Sequence, residues 1–340
     1  MYDVITIGSN TTDVFVYTDK TKTVCVRALD EEICYISYPI GSKLLIDQLD
    51  FYVGGGGTNT AVCLSRLGMK TGYMGKVGKE YRAEMVLKLL EDENIDFLGS
   101  ADDYKDNKSG YSVILDSLER TRTVLTYKGV NDYLFYDEID LEKLETGWFC
   151  MTSMMKESFK TQEKLSQYAA QNDIKILYNP SNYLCEKGLD FLEGLLRNVH
   201  ILVLNDEESG ILVGKKKKIK KLRSLKELGP RIVIITEGGK LVHCLDDKDH
   251  YYTLQPPEVE VVETTGAGDA FAATFLAGYI KKKDTPYALR LAAANSSSVL
   301  QYRGAKKKLL ALEDAEEVVK KKNIAVEKKE SKKGSQGKER

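Results

Sequence analysis

The amino-acid sequence predicts an α/β fold: a mostly parallel central sheet with helices on both faces, plus a small β-sheet lid. From about Gly54 onward, β-branched runs alternate with helix-period segments, the pattern of a parallel sheet wrapped by helices. The alternation breaks twice. Short strand-like runs fill about residues 13–52, and "SGYSVILDSLERTRTVLTYKG" is two runs around a polar turn, a β-hairpin. These two stretches would form the second sheet. A chain of 340 residues can bury a large core, so we expect one domain over residues 1–326 with lid stretches at about 13–52 and 110–129.

In chain order, "DVITIG" is a strand ending at Gly8-Ser9-Asn10, and "DVFVYT", "TVCVRA", "ICYISYPI" and "LIDQLDFYV" supply the first lid stretch. Apolar residues at helical spacing predict helices over Thr58–Leu67, Tyr81–Glu93, Phe159–Gln171, Leu222–Leu228, Ala267–Lys281, Pro286–Leu300 and Glu313–Lys320. Strands are expected at Thr71–Gly75, Ile174–Asn179, Ile201–Asn205, Arg231–Thr236 and Leu241–Leu245, with Val261 and Val262 ending a further one. The lysine run Lys215–Lys218 reads as a solvated loop. From Glu327 to Arg340 the chain is polar and reads as a disordered tail.

Composition excludes several classes. Fifty Lys+Arg against 51 Asp+Glu gives no electrostatic case for nucleic acid or a membrane surface. No stretch is apolar enough to span a bilayer, and "MYDVITIGSN" has no basic n-region, so no signal peptide is expected. Six scattered cysteines without CxxC pairs read as reduced core residues of a cytoplasmic protein, and the three histidines lack ligand spacing.

Two glycine turns carry the chemistry. In "VVETTGAGDAF", residues 261–271, Gly266, Ala267 and Gly268 precede an apolar helix. Free backbone N–H groups at a helix start attract anions. Asp269 stands in that same positive field, which suits an acid/base role; a plain helix cap is the equal alternative from this stretch alone. "GGGGTNTA", Gly54 to Ala61, follows a strand and opens a helix. Its glycines allow close backbone approach, and Asn59 offers a donor and an acceptor. As a dinucleotide fingerprint it is poor, because Thr60 stands where the last glycine belongs. No Gly-Lys is followed by Ser or Thr, so the usual P-loop is absent.

Together the two turns resemble the two signatures of the PfkB/ribokinase family of carbohydrate and nucleoside kinases, over about residues 1 to 310. The resemblance implies a ribokinase-like fold, ATP and Mg²⁺ as cofactors, and a small sugar or nucleoside as substrate. It implies that Asp13, Gly55, Gly56 and Asn59 bind the substrate. Asn205 and Glu208, in "LNDEES", match the motif that orders phosphate and metal. Thr236 and Gly238, in "ITEGGK", match the turn at the nucleotide phosphates, and Asn295, in "AAANSSSV", falls where the family lines its adenine pocket. Glu263 replaces the usual Asp or Asn near the monovalent-cation region of some members, which puts potassium activation in doubt.

With these motifs in place, Asp269 is read as the base that takes the hydroxyl proton, and the Gly266–Gly268 backbone as the anion hole for the moving phosphate. A dinucleotide oxidoreductase and a non-catalytic ligand-binding regulator on the same fold are the competing readings. The lid offers Arg120 and Arg122 to a phosphorylated acceptor, and Tyr17, Tyr35, Tyr38 and Tyr111 to a nucleobase. The balance leans slightly to an unphosphorylated sugar or nucleoside. Apolar lid strands such as "CYISYPI" also leave a face to cover, which suggests a homodimer joined through lids.

Overall fold

The computed structural model describes residues 1–28, 31–116 and 122–329. Among these residues the main sheet has ten strands. Seven are parallel and adjacent, in the spatial order Ile232–Thr236, Ile201–Asn205, Lys175–Asn179, Trp148–Thr152, Val4–Ile7, Thr71–Met74 and Asp96–Phe97. Val242–Leu245, Tyr251–Leu254 and Val326–Lys329 extend it antiparallel beyond Ile232–Thr236.

Strand periodicity explains why both faces are covered. Val4, Cys150, Leu177, Ile201, Val203, Ile232 and Ile234 join one hydrophobic core, with the helices Gly56–Arg66, Tyr81–Asp92, Ala267–Lys282 and Thr285–Val299. Their neighbours Ile5, Phe149, Met151, Ile176, Leu202, Val233 and Ile235 enter a second core, under Lys156–Gln171, Leu189–Leu196 and Lys218–Lys226. Successive side chains point to opposite faces, so a strand buried on both must be apolar throughout.

The helix Ala267–Lys282 ends at Lys283, which takes the left-handed conformation (φ 51°), and Asp284 caps the next helix by accepting from the Tyr287 N–H. At Gly278 a side chain would come within 3.0 Å of Ala288 Cα, so the two helices pack backbone to backbone.

The lid is a four-stranded sheet, in the order Arg122–Tyr127, Gly110–Asp116, Thr11–Tyr17 and Gln48–Gly54. Both expected stretches contribute to it and lie outside the main sheet. Lys22–Ala28 and Glu31–Ser37 pair separately as a hairpin.

Several expectations need correcting. Cys25 and Cys34 sit opposite each other on that exposed hairpin and form a disulfide, while Cys63, Cys150, Cys185 and Cys244 are free and buried. Val261 and Val262 are exposed and end no strand; instead the Val262 and Glu263 N–H groups bond to Leu300 O. Glu327–Lys329, placed in the tail, belong to the edge strand Val326–Lys329, and residues 330–340 lie outside the described residues. The lysines on that edge discourage pairing with a further strand. The short helices Asn182–Cys185 and Asp206–Val213 were not expected; a helix of one or two turns shows too little periodicity to read.

Candidate active site

A cleft of about 400 Å³ lies where the lid faces the carboxyl ends of the parallel strands. Thr152, Asn179, Asn205 and Thr236 line it from four consecutive strand ends; Asp13, Ser112, Ile114, Val124, Thr126 and Lys128 line it from the lid. Gly266, Gly268 and Asp269 close it from the start of the long apolar helix.

Gly266 is the N-cap of that helix, in the left-handed conformation (φ 81°), and no side chain caps it. Asp269 therefore does not cap its own helix. Its Oδ2 accepts instead from Asn59 Nδ2 at 2.7 Å, joining two residues 210 positions apart. A side chain at Gly266 would meet Ala305 Cβ at 2.3 Å, so glycine is required there by packing as well as by backbone angle. At Gly268 a side chain would meet no protein atom within 4 Å. Ala267 sits between them as the first helical residue, and its N–H donates to Thr264 O at 3.3 Å.

The four-glycine turn is mainly a packing device. A Cβ at Gly54 would strike Asp13 Oδ2, and one at Gly57 the backbone of Gly8. Gly55 adopts φ 95°, with the Ser9 carbonyl 2.5 Å from where its Cβ would stand. The result is a helix, Gly56–Arg66, that starts against the first strand's end and presents Asn59 beside Asp269. Of the expected substrate residues, Asp13, Gly55, Gly56 and Asn59 all line the cleft.

Electrostatics mark the same place. Burial pushes the Asp269 carboxyl above its ordinary range, opposed by the Asn59 hydrogen bond and the charge of Lys306. Burial likewise raises Asp13, opposed by the Thr11 hydroxyl, which donates to it at 2.8 Å, and again by Lys306. Burial lowers the Lys128 ammonium. The sequence reading missed both lysines. Lys306 begins a run of three that looks solvated, yet it is buried, and only its position just after "RGA" distinguishes it.

Asn205 and Glu208 form a capping box on the helix Asp206–Val213: each side chain accepts from the other's backbone N–H at 2.8 Å. Both also line the cleft, and burial pushes Glu208 up to about 7. No cluster of three metal-ligating side chains occurs among the described residues. Gly238, with φ 56°, lies two residues past Thr236 and is not among the cleft-lining residues.

Asn295 is fully buried behind the cleft, where it donates to Thr274 Oγ1 at 2.8 Å and accepts from the Leu310 N–H at 2.9 Å. Both ends of its amide are thus engaged inside the core, and it is not among the cleft-lining residues. The Glu263 carboxylate turns inward on its own loop, accepting from the Thr264 and Thr265 N–H groups. Tyr17, Tyr35, Tyr38 and Tyr111 do not line the cleft either; the aromatic that does is Tyr183, next to Lys128. Arg120 lies outside the described residues, and Arg122 is placed on a lid strand.

Comparison with known proteins agrees with this geometry. The model of the pfkB family of carbohydrate kinases matches residues 21–311. An uncharacterized sugar kinase of Archaeoglobus fulgidus is 31% identical over 256 residues, 72% of this chain and 97% of that protein. The ATP-dependent 6-phosphofructokinase of Thermoanaerobacterium thermosaccharolyticum is 26% identical over 316 residues, 89% of each chain. A putative ribokinase II from E. coli, solved with ATP and Mg²⁺, superposes with a TM-score of 0.79 at 18% identity, covering 94% of this chain and 100% of that one. These matches leave no place for the oxidoreductase reading. With its ribokinase-like α/β fold and lid, the chain belongs to the PfkB family and is a carbohydrate or nucleoside kinase, a phosphotransferase acting on an alcohol group.

Proposed function

We propose that the protein transfers the γ-phosphate of ATP to a hydroxyl of a small sugar or nucleoside, with Asp269 as the base. The observation that carries this is the carboxylate of Asp269, held by Asn59 at 2.7 Å and uncommitted to capping, in the cleft beside the Gly266–Gly268 backbone at the start of the long helix. The acceptor O–H gives its proton to Asp269 as its oxygen bonds to Pγ. The bond from Pγ to the β–γ bridging oxygen breaks, and ADP leaves with that oxygen. The backbone N–H groups stabilise the negative charge on the phosphoryl oxygens.

Asp13 and Asn59 would hold acceptor hydroxyls, with Gly55 and Gly56 as the backbone floor beneath them. Asn205, Thr236 and the Gly238 turn would meet the nucleotide phosphates. The empty space a side chain would enter at Gly268 fits a phosphate approaching the backbone there. Mg²⁺ travels with ATP and keeps several waters, so the single carboxylate of Glu208 is a sufficient protein contact for it. The ATP and Mg²⁺ in the E. coli structure support this cofactor pair.

A second copy of the chain is the partner that best fits the lid hairpin, whose one face exposes Val24, Val26, Ile33 and Tyr35. A monomeric mass by light scattering at micromolar concentration, with substrate present, would remove the dimer. Among the described residues no helix is long and apolar enough to cross a membrane. Cytoplasmic placement rests on the need for ATP and on four buried free thiols, now that Cys25 and Cys34 are bridged.

The test is ADP release across a panel of sugars and nucleosides, run beside an NAD(P)H absorbance assay. We expect ADP release to depend on one acceptor or a few close analogues. No acceptor-dependent release across the panel would sink the reading.

A further inference from the structure

Three buried lysines differ in their company. Lys76 Nζ contacts Glu138 at 2.6 Å and Lys221 Nζ contacts Asp206 at 2.7 Å, so each is neutralised directly. Lys306, 8% exposed, donates instead to two neutral oxygens: Val53 O at 2.6 Å and Asn59 Oδ1 at 2.5 Å. A buried ammonium without a contacting carboxylate is costly, and such a cost is found where the charge has work to do.

The surroundings indicate that work. The turn Gly304–Lys306 packs under the cleft from behind. Gly304 lies against the Tyr52 ring, Ala305 against Gly266, and the Lys306 carbonyl accepts from Arg66 Nη1 at 2.7 Å. An ammonium can only donate, so Lys306 takes the oxygen of the Asn59 amide and turns its NH₂ toward Asp269. The carboxylates of Asp13 and Asp269 both feel its charge.

We propose that Lys306 is a positioning residue of the transfer: it fixes the Asn59 amide that holds Asp269 and supplies the positive charge that keeps Asp13 and Asp269 ionised around the acceptor hydroxyl. This rests on the kinase reading above. Burial draws the ammonium down to about 8, against the pull of Asp13 on the lid strand and Asp269 on the long helix. Arg66 on the glycine-turn helix lowers it further, and Glu93, just past the helix Tyr81–Asp92, raises it. The charge is therefore present at neutral pH and is lost as pH rises through about 8.

The test is a pH profile of kcat and kcat/KM, on the best acceptor from the panel, for wild type, Lys306→Met and Lys306→Gln. Wild type should show an alkaline limb near pH 8 that both variants lack. Both variants should show the acidic limb displaced upward by about one pH unit, because Asp269 loses its counter-charge. Lys306→Met should lose at least about tenfold in kcat with KM for ATP within about threefold. Lys306→Gln restores a donor to Asn59 Oδ1, so it should recover acceptor KM without restoring the limbs. A purely structural lysine would leave both limbs in place, and that result overturns the proposal, as does a wild type with no alkaline limb between about pH 7 and 9.

A readout independent of turnover is Tm against pH. A lowered lysine penalises the fold while charged, and the penalty is relieved as pH rises from about 8 toward 10.5. Wild-type Tm minus Lys306→Met Tm should therefore climb across that interval. A flat difference overturns the buried charge even if no acceptor has been found. A climbing difference with no ADP release from any acceptor would instead refute the kinase reading.

Discussion

Asp269→Asn is the sharpest test of the chemistry, because the structure separates what the substitution removes from what it keeps. The helix start is held by Gly266 and not by Asp269, so no cap is lost. Asparagine can offer its own oxygen to Asn59 Nδ2, so the 2.7 Å bond has a replacement acceptor. The basic, negatively charged oxygen is gone. General-base catalysis contributes about 10²–10⁴-fold, equivalent to about 2.7–5.4 kcal/mol of barrier, so kcat should fall at least about 100-fold. Stability should move by no more than about 1 kcal/mol, a Tm change within about 4 °C for a domain of this size. ATP affinity, read by calorimetry on the same preparation, should hold or tighten, since a negative charge beside the γ-phosphate has been removed. A folded variant keeping more than about a tenth of wild-type kcat would take the base out of this mechanism.

Other substitutions separate packing from binding. Gly268→Ala meets no protein atom and improves helix propensity by about 1 kcal/mol, so it should preserve or raise Tm while lowering kcat/KM at least about tenfold; normal activity would show that no ligand group comes near that backbone. Asn59→Ala should raise KM for the acceptor more than for ATP, and should cost about 1–3 kcal/mol in a denaturant titration because Lys306 and Asp269 both lose a partner. Equal KM losses for both substrates would point to a collapsed turn. Glu208 carries a raised value, so wild type holds extra stability below about pH 4.5 and loses it as pH rises through about 7. Glu208→Gln keeps the cap acceptor without the titration, so its Tm relative to wild type should rise between about pH 5 and pH 8; a constant difference would deny that Glu208 titrates there.

Much of this architecture was legible in the sequence, for a simple reason. Strands buried on both faces, such as Ile232–Thr236, are uninterrupted β-branched runs, and long helices such as Ala267–Lys282 carry enough apolar residues to be read. The cleft was legible where backbone conformation demands a residue type, as at Gly55 and Gly266. It was illegible where a polar side chain could face either way. Asn295 has the composition of a ligand contact, but its amide joins two helices and a turn inside the core. Lys306 has the composition of a solvated run and lies buried behind the site. Cys25 and Cys34 pair across two strands between which the sequence has no Gly or Pro to announce a hairpin.

The lid and the body divide the labour in a way that bears on how such a protein changes over evolutionary time. Ser112, Ile114, Val124, Thr126 and Lys128 reach the cleft from lid strands, whereas the Gly266–Asp269 turn belongs to the helix packed on the main sheet. Val124 and Thr126 are largely solvent-exposed, so replacing them disturbs little of either hydrophobic core. Substitutions on the lid strands can therefore reshape one wall of the cleft while the packing of the Gly266–Asp269 turn stays untouched. Asp13 is the exception: it rides on a lid strand, yet its carboxylate packs against Gly54 at the base of the glycine turn, so a change there would reach the body as well as the lid.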